Sequence, residues 1–174
     1  MEAEMRHSIR DGVLITNNIV VEICSPGDLA DYLAGRLKVL DRIETSNLVV
    51  DNGLNALRDL MMNPYVGGVG ASPDYIALGT DGSEVVASQT ALVAEAFRKQ
   101  ITRRSPLNKA LIWQMFMAAT EGNGGGTVIY KEIGLFEQAI VGAGRMWARG
   151  PLTSATKTSS VSITVNWQMN LAAT

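Results

Sequence analysis

From Val161 to Met169 the chain alternates without a break. Val161, Ile163, Val165, Trp167 and Met169 fall on one parity, and Ser160, Ser162, Thr164, Asn166, Gln168 and Asn170 on the other. A period of two predicts a strand with one face on a core and the other in water. Ala110–Ala119 is an apolar run interrupted at Gln114, which fits a strand covered on both faces or a short core helix. Tyr75–Leu78, Phe97–Arg104, Ile129–Phe136 and Arg145–Arg149 add shorter strand patterns, the last followed by Pro151. Between them lie the turn Gly79-Thr80-Asp81-Gly82 and the glycine-rich stretch Glu121–Gly126. One helical pattern stands out: Asp51 as N-cap, then Leu54, Leu57, Leu60 and Met61 on one face, ended by Asn63-Pro64. The chain is therefore expected to be mainly β, an antiparallel β-sandwich or small barrel with one short α-helix.

Residues 1–46 read differently, with turn residues every few positions, and are expected to form an extended N-terminal arm or small lobe ahead of a structural domain at 47–174. Gly12–Ile15 and Ile19–Ile23 flank Thr16-Asn17-Asn18, which is hairpin chemistry. After Pro26-Gly27, Asp28 can cap a short helix carrying Leu29, Tyr32 and Leu33, with Gly35 as its stop. Val39 and Ile43 suit a further strand, and Asn47–Val50 another.

Composition narrows the chemistry. With 47% hydrophobic and 18% charged residues the chain has the makeup of a folded domain. A net charge of −2 lacks the positive field of nucleic-acid binding. Residues 1–87 hold 6 basic and 13 acidic groups, residues 88–174 hold 9 and 4, so net −7 meets net +5, a division suited to contacts between copies. Cys24 and His7 are each the only residue of their kind, which excludes an intrachain disulfide and argues against zinc ligation or a histidine-based catalytic triad. The acidic start Met1-Glu2-Ala3-Glu4 does not read as a signal peptide. The longest apolar stretch is about half a bilayer span, so no membrane partner is expected.

The glycine clusters Gly67-Gly68-Val69-Gly70 and Gly122-Asn123-Gly124-Gly125-Gly126 lack the context of a phosphate loop and read as connections. Arg98, Lys99, Arg103 and Arg104 form the densest basic cluster. It suits a solvated strand edge that blocks unwanted pairing, or a contact with another copy or a capsid. Trp113, Trp147 and Trp167 sit inside strand patterns and are assigned to the core. No catalytic residue, cofactor or metal ligand is assigned.

The order of short motifs then becomes informative. Asn47-Leu48-Val49-Val50-Asp51-Asn52-Gly53-Leu54 with Leu57 and Leu60 is followed by Ile76-Ala77-Leu78-Gly79-Thr80-Asp81-Gly82 and Gln89-Thr90-Ala91-Leu92. Lys131-Glu132-Ile133-Gly134-Leu135-Phe136, Met146-Trp147-Ala148-Arg149 and Lys157-Thr158-Ser159-Ser160 complete the series. Over residues 47–170 this order resembles the β-rich structural proteins of tailed-bacteriophage virions. The resemblance implies a noncatalytic module of the particle, present in several copies and assembled in the bacterial host cytoplasm. The expected role is capsid decoration (cement), with a homotrimer and the major capsid protein as partners. The alternative is a tail, collar, baseplate or fibre-attachment part, and behind it a glycan- or receptor-binding module using Tyr65 or Tyr130.

Overall fold

The computed structural model describes residues 13–62 and 72–173. Its strands are β1 (Val13–Cys24), β2 (Val39–Thr45), β3 (Leu48–Val49), β4 (Tyr75–Gly79), β5 (Glu95–Gln100), β6 (Arg103–Leu107), β7 (Ala110–Met117), β8 (Val128–Phe136), β9 (Met146–Lys157) and β10 (Ser162–Ala173). Helices α1 (Leu29–Leu33) and α2 (Asp51–Met62) interrupt them. The strands form two five-stranded antiparallel sheets, ordered β2-β1-β10-β7-β6 and β3-β9-β8-β4-β5. The mainly β sandwich is as expected, with two helices rather than one.

The inner faces meet in one core. Ile19, Val21, Trp113, Met115, Ile163, Val165 and Trp167 come from the first sheet, and Ile76, Leu78, Ile133, Leu135 and Ala148 from the second. Each large side chain removed from water contributes on the order of 2 kcal/mol. β10 supplies Ile163, Val165, Trp167 and Met169 to this layer. On the opposite parity Asn166 is exposed, but Ser162 and Thr164, expected in water, are buried and donate to Ser25 O (2.7 Å) and Glu22 Oε2 (3.2 Å). The three tryptophans are buried, as their strand positions required.

Four expectations are corrected. Thr16-Asn17-Asn18 is not a hairpin turn: β1 runs straight through it, because β10 pairs with all twelve of its residues from Val13↔Ala173 to Cys24↔Ser162. For the same reason the described part of residues 1–46 is not a separate arm, since β1 lies between β2 and β10 inside the first sheet. β9 continues past Pro151 to Lys157. β3 pairs only with Ala148 and Arg149, so at Pro151 the strand has β8 on one side alone and a missing N–H is tolerated. On α2 the buried positions are Gly53 and Ala56, flanked by Leu57 and Leu60, while Leu54 is exposed. The helix starts one residue earlier than expected, with the Val50 carbonyl accepting from Gly53 and Leu54 N–H, so Asp51 sits in the first turn.

Asp28 caps α1 as expected. Its carboxylate accepts from Asp31 N–H and the Asp31 carboxylate from Asp28 N–H, and Gly35 ends the element at φ +66°. The helix lies on the outer face of the first sheet, Tyr32 stacking on Phe116 with ring centroids 5.2 Å apart.

Candidate functional site

The outer face of the second sheet carries the densest chemistry. Alternation along β8 turns Ile133 and Leu135 inward and Glu132, Gly134 and Phe136 outward, and β9 sets Arg149 opposite Gly134. Glu132 and Arg149 are both fully buried, with Arg149 Nε 2.9 Å from Glu132 Oε2. The segment 80–94 straps over this pair. Arg149 Nη1 donates to Glu84 O (3.0 Å) and Gln89 Oε1 (2.9 Å), and Nη2 to Ser83 O (3.3 Å). Glu132 accepts from Val93 N–H (3.1 Å) and Ala94 N–H (2.7 Å). Asp81 stands 4.0 Å from Arg149; the Ser83 hydroxyl and N–H hold its carboxyl below the usual range, with help from Arg149 and Lys131. Leu92 closes the strap over Gly134, where a Cβ would meet its side chain at 2.9 Å. Two buried charges are thus spent on fastening a loop, each with its hydrogen bonds filled.

A second clamp holds the segment 137–145. Arg98 grips Glu95 with Nε and Nη2 at 2.6 and 2.7 Å, donates through Nη1 to Gln138 O and Ala143 O at 2.8 Å each, and lies 3.8 Å over the Phe136 ring. A third closes the connection 118–127. Lys157 Nζ donates to Ala119 O and Thr158 O at 2.7 Å each, and burial pulls its ammonium below the ordinary lysine value against the opposing pull of Glu121. Glu121 pairs with Lys99 and accepts from Ala118 N–H. Burial pushes that carboxyl up, but these partners hold it lower overall.

Tyr130 completes the third clamp by donating to the Gly122 carbonyl, and burial pushes its phenol up to about 12 from 10.0. The folded chain therefore keeps this proton where the unfolded chain has lost it. The contribution is intact below about pH 10 and falls away as pH rises toward about 12. Urea unfolding across that range should show stability declining with pH, and Tyr130→Phe should flatten the decline. An identical slope in the variant would assign the alkaline loss to other groups.

The basic cluster divides between a clamp and a sheet edge: Arg103 and Arg104 are exposed on the edge strand β6, whereas Arg98 is not. Neighbours on a strand point to opposite faces, and Arg98 is 1% exposed within its clamp, so it offers nothing to a partner. Lys99 belongs to the third clamp, and Arg104 pairs with Asp74 while its side chain stays 44% exposed. Only Arg103 of the four makes no ion pair among the described residues. Tyr130 is likewise buried and cannot serve a glycan. His7, Tyr65 and the Gly67–Gly70 cluster lie outside the described residues.

Among the described residues, depressions open on the surface. One of about 250 Å³ is lined by Pro106, Leu111 and Trp113, one of about 380 Å³ by Leu107, Ala110, Gln168 and Asn170, and one of about 420 Å³ by Asn47, Glu84 and Pro151. None of them contains the buried charges. Among the described residues no three His, Cys, Asp or Glu side chains cluster as metal ligands, and no helix is long and apolar enough to cross a membrane. Comparison with family models, curated proteins and solved structures finds no match.

Proposed function

We propose that this chain is a noncatalytic structural protein of a tailed-bacteriophage virion, and within that class a capsid decoration protein that bridges capsid subunits. Its partners are copies of itself and the major capsid protein. One observation supports the reading. The residues that carry the sequence resemblance, scattered from Gly53 to Lys157, converge as fasteners. Glu132 and Arg149 form the buried pair, and Gln89 and Leu92 belong to the strap. At Gly79 a Cβ would lie 2.3 Å from Glu132 Oε1, and at Gly53 one would lie 2.0 Å from Trp147 O. Lys157 closes the third clamp.

Motif residues of an enzyme gather around a cavity that holds a substrate. Here they tie loops and a helix down on a sandwich, which serves a part that must keep its shape while its surfaces bind neighbours. A stained gel of purified particles tests the reading. A decoration protein gives a band of the same order as the major capsid protein. A trace band would overturn decoration in favour of a tail component, and absence from the particles would overturn the virion assignment.

A further inference from the structure

The ends of the two sheets differ in how they are protected. An edge strand exposes unpaired N–H and C=O groups and is usually blunted by brevity, charge, proline or a covering loop. β3 has two residues. β6 carries Arg103, Arg104 and Pro106, and β2 carries Asp41, Arg42 and Glu44. Along β5, Arg98 and Glu95 bind the 138–143 backbone through Gln138 O, Ala143 O and Gly142 N–H.

Among the described residues, one edge has none of these devices. β2 pairs with β1 only from Ile19↔Thr45 to Cys24↔Val39, and then the chain leaves for the second sheet. Val13–Asn18 is bound to β10 on one side, and on the other no described residue reaches it. These six residues, Val-Leu-Ile-Thr-Asn-Asn, include no charge, proline or glycine. They span about 20 Å of strand.

We propose that this edge pairs with the same edge of a second copy, antiparallel across a two-fold axis, joining the first sheets of two copies into one. Three features select that occupant. An uncharged segment meets its own copy without repulsion. A two-fold contact needs a surface that complements itself, and an antiparallel edge supplies this through its backbone. The free window also sets the register: residues facing each other across strands point to the same face of the sheet, so the axis passes at a residue. With β2 occupying Ile19 and beyond, that residue is Ile15 or Thr16. Five paired residues on each strand make a small interface, so the dimer is weak and concentration-dependent. The inference rests on the self-association proposed above and gives it a two-fold contact, distinct from the three-fold contact of a homotrimer.

Sedimentation velocity of the full chain over a concentration series tests it. The wild type should move from monomer to dimer, and the shift should persist in high salt because no charge lies in the contact. Thr16 is exposed, so Thr16→Lys should keep the melting temperature while setting two ammonium groups across the axis. Association should weaken about tenfold or more, and Thr16→Val should restore it. Thr16→Cys should give a disulfide-linked dimer on a non-reducing gel if the axis is at Thr16, and Ile15→Cys if it is at Ile15. A chain that stays monomeric throughout, or a Thr16→Lys variant that dimerises like the wild type, would overturn the edge contact. Neither result touches the particle gel, which tests the virion reading separately.

Discussion

Arg149→Met is expected to destabilise the fold by about 3–5 kcal/mol, the range seen when one member of a buried ion pair is removed. The variant strands Glu132 at zero exposure with only the Val93 and Ala94 N–H groups to bind it. It also frees the Ser83, Glu84 and Gln89 acceptors of the strap. For a domain stable by roughly 5–15 kcal/mol, this brings the variant close to its unfolding transition at room temperature. Urea denaturation at neutral pH measures the loss. The informative companion is the double variant Arg149→Met/Glu132→Gln. Removing the second charge eliminates the uncompensated carboxylate, so the double variant should be more stable than Arg149→Met alone. A single variant within about 1 kcal/mol of wild type would mean that water reaches the pair and that the strap is held by something else.

The network also explains why the sequence revealed its parts and not their relation. Lys131–Phe136 and Met146–Arg149 stand out as motifs, but Glu132 and Arg149 are 17 residues apart and the strap residues that bind Arg149 lie 60 to 66 residues away from it. Nothing local announces such a pairing. A charged residue closing an apolar strand pattern, as in Met146-Trp147-Ala148-Arg149, was the available signal. The basic cluster divides for the opposite reason: density along the chain is not density on a surface when a strand turns successive side chains to opposite faces. Arg98 is therefore locked in a clamp while Arg103 and Arg104 stay exposed on the edge strand β6.

Fold features were legible where one local rule sufficed. The alternation of β10 and the Asp28 cap needed no partner to be read. β1 was illegible in its middle because Asn17 and Asn18 favour turns by themselves, and only their pairing with Met169 and Gln168 on β10 keeps them extended. The division at residue 46 failed with it, since the contact that binds this segment to the body joins the first strand to the last.

Gly53→Ala provides the sharper test of how α2 is seated, because two rules oppose each other there. Within a helix the change ordinarily gains about 1 kcal/mol from backbone propensity. In this chain the added Cβ would lie 2.0 Å from Trp147 O, 2.7 Å from its carbonyl carbon and 2.8 Å from its Cα. Those are backbone atoms of β9 and cannot rotate away. The helix must lift, which strains the Val50 N–H bond to the same carbonyl (3.1 Å) and the Asp59–Arg145 pair (3.0 Å). It also loosens Ala56, Leu57 and Leu60 from the core. Overpacking of this kind costs about 1–3 kcal/mol or more, so steric conflict should win and the melting temperature should fall. Asn55→Ala, on the exposed side of the same helix, has the propensity gain without the clash and should leave stability unchanged or raise it by a few tenths of a kcal/mol, roughly. Equal stability of Gly53→Ala and Asn55→Ala would show that α2 does not press on β9, and would detach the helix from the fastening system that supports the structural reading.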